Sequence, residues 1–156
     1  PIADTETGGS LTARLSHLGA SLVDGAIPEF LAGRRRPVPQ IDAHTSHAGK
    51  LTRDEARLDP GWDAGRAERT VRAFTPRPGT WMSTPDGSLK VISASPTDIA
   101  IEPGRITLVG GHVVAGFADG SLVLSRVQAE GKQAMSADTW MHGRRGEDAS
   151  FSGNDT

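Results

Sequence analysis

The chain reads as a mainly β protein: a small, open β-barrel of the OB type with a C-terminal helix, preceded by helices and a linker. Three observations predict it. From Gly79 onward the apolar residues recur with a period of two, in five short runs separated by tight turns. Before Pro76 they recur every three to five residues, the period of helices. Tyr is absent and aromatics make up only 4% of the 156 residues, so the core must rest on Leu, Val, Ile and Ala, with Trp62, Trp81 and Trp140 as the large anchors.

Residues 1–33 form one helical unit. Ser10 is the expected N-cap, Leu11, Leu15, Leu18, Leu22, Ile27 and Leu31 share an apolar face, Pro28 kinks or restarts the helix, and Gly33 ends it. That face needs a partner. Arg34-Arg35-Arg36 and Pro37-Val38-Pro39 open a stiff, extended linker over residues 34–58. Within it Thr52-x-x-Glu55 is a capping box that predicts a short helix through Arg57. Asp59-Pro60 is expected to cap the next helix, which carries Arg66, Arg69 and Arg72 on its surface and Ala67, Val71 and Phe74 on its apolar stripe. Pro76 stops that helix, and Pro78-Gly79 turns the chain into strands.

The expected strands are Thr80–Ser83, Leu89–Ser93, Ile106–Val109, Val113–Phe117 and Leu122–Val127. Pro85-Asp86-Gly87-Ser88, Gly110-Gly111 and Asp119-Gly120 mark the turns between them. Ser136 caps a last helix, Ala137–Arg145, anchored by Trp140 and Met141. The unit from 59 to 145 is thus one domain, and the polar tail 146–156 has the composition of disorder.

Composition also excludes. Without cysteine there is no disulfide, no Cys-ligated metal and no thiol nucleophile. No apolar run is long enough to span a bilayer, so a soluble, cytoplasmic protein with no membrane partner is expected. The start at Pro1, without an initiator Met, predicts a piece of a longer chain. A formal charge of −2 argues against indiscriminate nucleic-acid binding, so any RNA contact must be local. His44 and His47 have H-x-x-H spacing but no third ligand nearby, and no metal is expected. None of the five histidines stands in a defensible arrangement with Ser or Asp, so no catalytic residue is assigned.

Three motifs carry a resemblance. Arg72-Ala73-Phe74-Thr75-Pro76-Arg77-Pro78-Gly79-Thr80-Trp81 is similar to the R-A-F-x-P-x-P-G-x-W junction that opens the C-terminal domain of the methionyl-tRNA formyltransferase family. Gln128-Ala129-Glu130-Gly131-Lys132-Gln133-Ala134-Met135-Ser136-Ala137 resembles that family's Q-P-x-G-K-K-x-M-S-A signature, and Asp4–Leu11 resembles the D-T-x-G-x-L start of the last helix of its catalytic domain. Thr75 and Arg77 stand where the family usually has Asn and Trp, and Gln133 where it usually has a second Lys.

The resemblance implies that residues 1–33 are the terminal helix of an α/β formyltransferase domain otherwise missing here, and that 59–145 is the C-terminal OB-like domain. It implies a full-length enzyme that transfers a formyl group from 10-formyltetrahydrofolate, its co-substrate, to methionyl initiator tRNA in translation initiation. The catalytic residues would lie ahead of residue 1, and this chain, binding no cofactor, would position the tRNA. By that analogy Lys132, Lys50, Arg72, Lys90, Arg144 and Arg145 are the candidate RNA-binding residues, with Lys132 inside the matching signature. Against strong binding, basic and acidic residues are equal in number between Trp81 and Arg145. Two other readings fit the same pattern: a free-standing OB-type binding module, whose helix 10–31 would pack back on the barrel, and the C-terminal domain of a sugar-nucleotide formyltransferase.

Overall fold

The computed structural model describes residues 1–41 and 45–153. Helix α1 spans Gly8–Leu31 and helix α2 spans Ala64–Phe74. Strands β1 (Thr80–Thr84), β2 (Gly87–Thr97), β3 (Arg105–Val109), β4 (His112–Gly116), β5 (Ser121–Ala129) and β6 (Met135–Ser136) come next. Helix α3 (Ala137–Gly143) and strand β7 (Ala149–Ser150) complete the chain. The strands form one antiparallel sheet in the order β1-β2-β5-β4-β3-β7, with β6 on β5. A single bridge, in which Ser152 N–H donates to Ser83 C=O at 3.0 Å, reaches from the end of β7 back to β1. The sheet is therefore curled and open, as the sequence predicts.

Two hairpins set its register. The β3–β4 turn is Gly110-Gly111, both with positive φ, which only glycine adopts freely, and it pairs Val109 with His112. The β1–β2 turn pairs Thr84 with Gly87 around Pro85-Asp86. Strand β2 outruns its expected end at Ser93 because a bulge lets it continue. Ile92 on β2 and Ser125 on β5 are extra residues in the ladder, so the inward face of β5 passes from Leu122 and Leu124 to Val127 without losing burial.

The core lies inside the curled sheet, closed by Ala64, Ala67 and Val71 of α2 and by Ala137 and Met141 of α3. The tryptophans are not its anchors. Trp62, Trp81 and Trp140 are all half-buried, and each carries a guanidinium over its ring. The large rings inside are Phe117 and Phe151, whose centroids are 5.4 Å apart.

Several local expectations change. Thr7, not Ser10, caps α1, because Thr7 and Ser10 close a reciprocal capping box one turn earlier. Thr52 and Glu55 make the capping-box bonds, but they start no helix. Ala56 and Leu58 are buried on either side of Arg57, a period of two, and they pair with the edge of β1 through Leu58 N–H to Trp81 C=O (2.8 Å) and Trp81 N–H to Ala56 C=O (3.1 Å). The β edge outweighs the cap. Asp59 closes a turn onto Gly61, and the cap of α2 is Asp63, which accepts Arg66 N–H at 2.7 Å. Helix α3 ends at Gly143, not Arg145.

Residues 146–153 of the polar tail pack against the sheet. Ala149 and Phe151 are buried, Arg105 donates to the Asp148 carboxylate, and Arg57 reaches Gly153 C=O at 2.7 Å. Small polar residues mask two apolar anchors that the core uses. By contrast, α1 buries no residue along its whole length.

Candidate nucleic-acid interface

Sorting the cations by their partners separates the candidates. Arg72 lies on α2 with Nε 2.5 Å from Glu68 Oε1 and Nη1 3.2 Å from Glu6 C=O, so it ties the N-terminal segment to α2. Arg144 at the end of α3 pairs with Asp86 of the β1–β2 turn and lies over Trp140. Both are engaged internally. Among the described residues, no hydrogen bond or ion pair engages the side chains of Lys50, Lys90, Lys132 or Arg145. Lys50 precedes the Thr52–Arg57 turns, and Arg145 lies just past α3 with a positive φ.

Of these four, Lys90 lines a cleft of about 430 Å³, together with Arg53, Gly79, Trp81, Gln128 and Glu130 among others, and Lys132 follows Gly131, the last residue of its lining. Each wall has a local cause. Lys90 stands directly across the β1–β2 ladder from Trp81. Gln128, also in the lining, donates from Nε2 to Lys132 C=O at 2.8 Å and so braces the β5–β6 turn that carries Lys132. The Glu130 carboxylate accepts Ser88 N–H at 3.1 Å.

Arg53 was not among the sequence candidates. It stands over Trp81 with its guanidinium carbon 5.1 Å from the ring centroid, and Trp81 Nε1–H donates to its carbonyl at 2.9 Å. Arg57 lies over the same ring at 5.3 Å. Arg53 opens the turns at 53–56 that lead into the Ala56–Leu58 pairing with β1, and that pairing is what brings it beside Trp81.

The cleft is an electrostatic site without an acid–base pair. Glu55, below it in the chain, is held under the usual carboxylate range by hydrogen bonds from the Thr52 hydroxyl and backbone N–H. His17 and His142 contact carbonyls one turn back on their own helices, Ala13 and Asp138. Among the described residues no three His, Asp or Glu side chains converge as a metal site, and His44 of the H-x-x-H pair lies outside those residues. No helix among them is long and apolar enough to cross a membrane. The geometry offers spare positive charge in a groove beside a tryptophan.

Comparison with known proteins gives this arrangement a context. Residues 50–145 match the family described as "Formyl transferase, C-terminal domain". A methionyl-tRNA formyltransferase of Halorhodospira halophila is 37% identical over 151 residues, covering 93% of this chain and 48% of that protein. Another from Thermobifida fusca is 34% identical and covers 99% of this chain and 51% of that protein. The chain spans about half the length of the curated relatives it matches. Among solved structures, a HypX variant from Aquifex aeolicus superposes with a TM-score of 0.72 at 18% identity, covering 90% of this chain and 26% of that one. HypX in complex with tetrahydrofolic acid superposes with a TM-score of 0.63 at 19% identity, covering 78% and 22%. The chain belongs to the formyl transferase C-terminal domain family.

Proposed function

We propose, with that membership as the premise, that this chain is the tRNA-positioning C-terminal part of a cytoplasmic methionyl-tRNA formyltransferase. The observation that carries the reading is the match of nearly the whole chain to half of relatives bearing that name. The full enzyme would transfer a formyl group from 10-formyltetrahydrofolate to methionyl initiator tRNA at the start of translation. A tetrahydrofolate complex among the structural neighbours is in keeping with a folate co-substrate for the other half.

In this division of labour the barrel holds RNA in the manner of OB-like domains, on a strand face and its loops. Lys90 would supply a phosphate contact in the cleft, with Lys132, Lys50 and Arg145 outside its lining. Helix α1 supports the same reading. Leu15, Leu18, Leu22, Val23, Ile27 and Phe30 are each about half exposed or more, so the helix does not fold back on the barrel as a free-standing module requires. The catalytic domain would cover that face.

The test is a titration of this chain into labelled initiator tRNA at two salt concentrations. Binding that weakens steeply with salt is expected, because displaced counterions accompany each phosphate contact. Absence of binding at low salt would overturn the assignment of tRNA positioning to this chain.

A further inference from the structure

We propose that Arg53 and Lys90 form a pre-built clamp for a single phosphodiester of the RNA backbone, held open by Trp81. The inference rests on the tRNA-positioning reading and names the group that the cleft takes.

Arg53 is fixed at two points by one side chain. The Trp81 indole N–H holds its carbonyl at 2.9 Å, and the Trp81 ring holds its guanidinium at 5.1 Å. A guanidinium lying over a ring keeps its in-plane N–H donors free, and these are the donors that fork onto a phosphate. Arg53 has no carboxylate partner among the described residues, whereas Arg14, Arg34, Arg72, Arg105 and Arg144 each have one.

Lys90 is placed with comparable economy. Its stem runs over Gly79, where a Cβ would stand 2.5 Å from Lys90 Cε and 2.8 Å from Nζ. Gly79 has φ +89, so the turn itself calls for glycine there, and the missing side chain leaves the lysine stem its place. Lys90 and Arg53 line the same cleft, so a point charge and a planar donor pair are offered to one anion.

A phosphate fits better than a base. Both arginines already lie over Trp81, so a nucleobase would have to displace a cation to stack there. One carboxylate lines the cleft, Glu130, and it is turned onto Ser88 N–H at 3.1 Å. Its charge opposes an anion in the cleft, and its removal is a second handle on the same site.

The experiment titrates labelled initiator tRNA with the chain and its variants Arg53→Ala, Arg53→Lys, Lys90→Ala, Arg53→Ala/Lys90→Ala and Glu130→Gln across a salt series. Each alanine variant is expected to weaken binding at least several-fold, and the double variant to lower the log–log salt slope by about 1 in total, one phosphate's worth. Arg53→Lys keeps the charge but not the fork, so it is expected to keep the slope and still lose affinity. Glu130→Gln is expected to bind more tightly. The indole N–H resonance of Trp81 is expected to shift on tRNA addition, while those of Trp62 and Trp140 stay in place.

Wild-type binding that none of these variants changes would overturn the clamp and leave the tRNA reading standing. Strictly additive losses, with a slope change of about 2 in the double variant, would overturn the single-phosphate geometry. No binding by the wild-type chain at any salt would remove both. All the substituted side chains lie at the surface or cleft wall, and Arg105→Ala, outside the cleft lining in its Asp148 pair, serves as the control expected to leave the salt slope unchanged.

Discussion

Helix α1 and the barrel are built from the same residue types and end in opposite conditions. In the barrel Leu58, Met82, Ile106, Val113, Leu122 and Val127 are fully buried. On α1 the Leu and Ile side chains from Leu15 to Leu31 all remain exposed, Leu31 at 78%. Spacing identifies an apolar face in both cases. It does not say whether the same chain supplies the cover, and the described residues leave the α1 face about half exposed. The helix is held by its first turn: Gly9 N–H donates to Thr75 C=O at 2.9 Å, and Arg72 reaches Glu6 C=O.

The widest separation between the two regions should appear on truncating one large side chain in each. Phe117→Ala and Phe151→Ala remove rings that pack on each other inside the barrel, and each is expected to cost about 3–5 kcal/mol of stability in urea denaturation. Leu22→Ala, at a site 59% exposed, is expected to stay within about 0.5 kcal/mol of the parent. A small loss for Phe151→Ala would show that the segment after Gly146 is an appendage and not part of the core.

That segment shows where the sequence was legible and where it was not. Runs of alternating Val, Leu and Ile between Gly-rich turns place five strands within a few residues of their true ends, because each is long enough to show its period. Strands β6 and β7 are two residues each, and no period is visible in two residues. Ala149 and Phe151 are spaced for a strand, but only the free edge of β3 makes that pairing available. The same logic covers Ala56–Leu58, where a capping box made locally gave way to a β edge made by tertiary structure.

The binding site was partly legible for a related reason. A count of Lys and Arg carries no information about which are neutralised. Glu68 and Arg72 stand four apart on one helix, so that pair is legible in the sequence, whereas Asp86 lies 58 residues from Arg144 and only the fold brings them together. Arg53 drew no notice because its importance depends on Trp81 being a surface ring, and a tryptophan in an aromatic-poor chain is expected inside.

A sharper cut between helix and barrel comes from Gly8. A Cβ there would lie 2.4 Å from the Ala73 carbonyl oxygen, a backbone atom that cannot step aside without moving the end of α2. Gly8→Val is therefore expected to cost about 1–3 kcal/mol of overpacking, expressed as release of α1 and not as unfolding of the barrel. Amide spectra would show it: resonances of residues 8–31 should move while those of β2, β4 and β5 stay. Movement throughout the sheet would mean that α1 and the barrel are one cooperative unit.

Smaller in stability, but visible in solution behaviour, is the exposed face itself. Leu18→Ser with Leu22→Ser should change the unfolding free energy by no more than about 0.5 kcal/mol and reduce concentration-dependent self-association in sedimentation. Unchanged association would locate the adhesive surface elsewhere, at the exposed Leu108 and Val109 of the β3–β4 hairpin for instance.

The smallest expected effect concerns the charge that steadies the helix start. The Arg14 guanidinium, helped by Ala3 N–H, lowers the Glu6 carboxyl from 4.5 to about 2. A carboxylate depressed in the folded state contributes stability above its ordinary value and loses it as pH falls toward the folded value. The anchoring of α1 should therefore be constant from neutral pH to about 4.5 and fade between there and about 2, with Glu6→Gln removing the dependence. In the barrel, hydrogen bonds from Thr107 and then Arg105 hold Asp148 low in the same sense, so the tail should loosen over an acid range too. Protonation has unequal consequences at the two sites. Phe151 still holds the tail inside the core when Asp148 is neutral, whereas α1 has no buried side chain to hold it once Glu6 is protonated. The Gly9 amide should therefore lose hydrogen-exchange protection at a higher pH than the Ser152 amide, and the reverse order would show that α1 is held by more than its first turn.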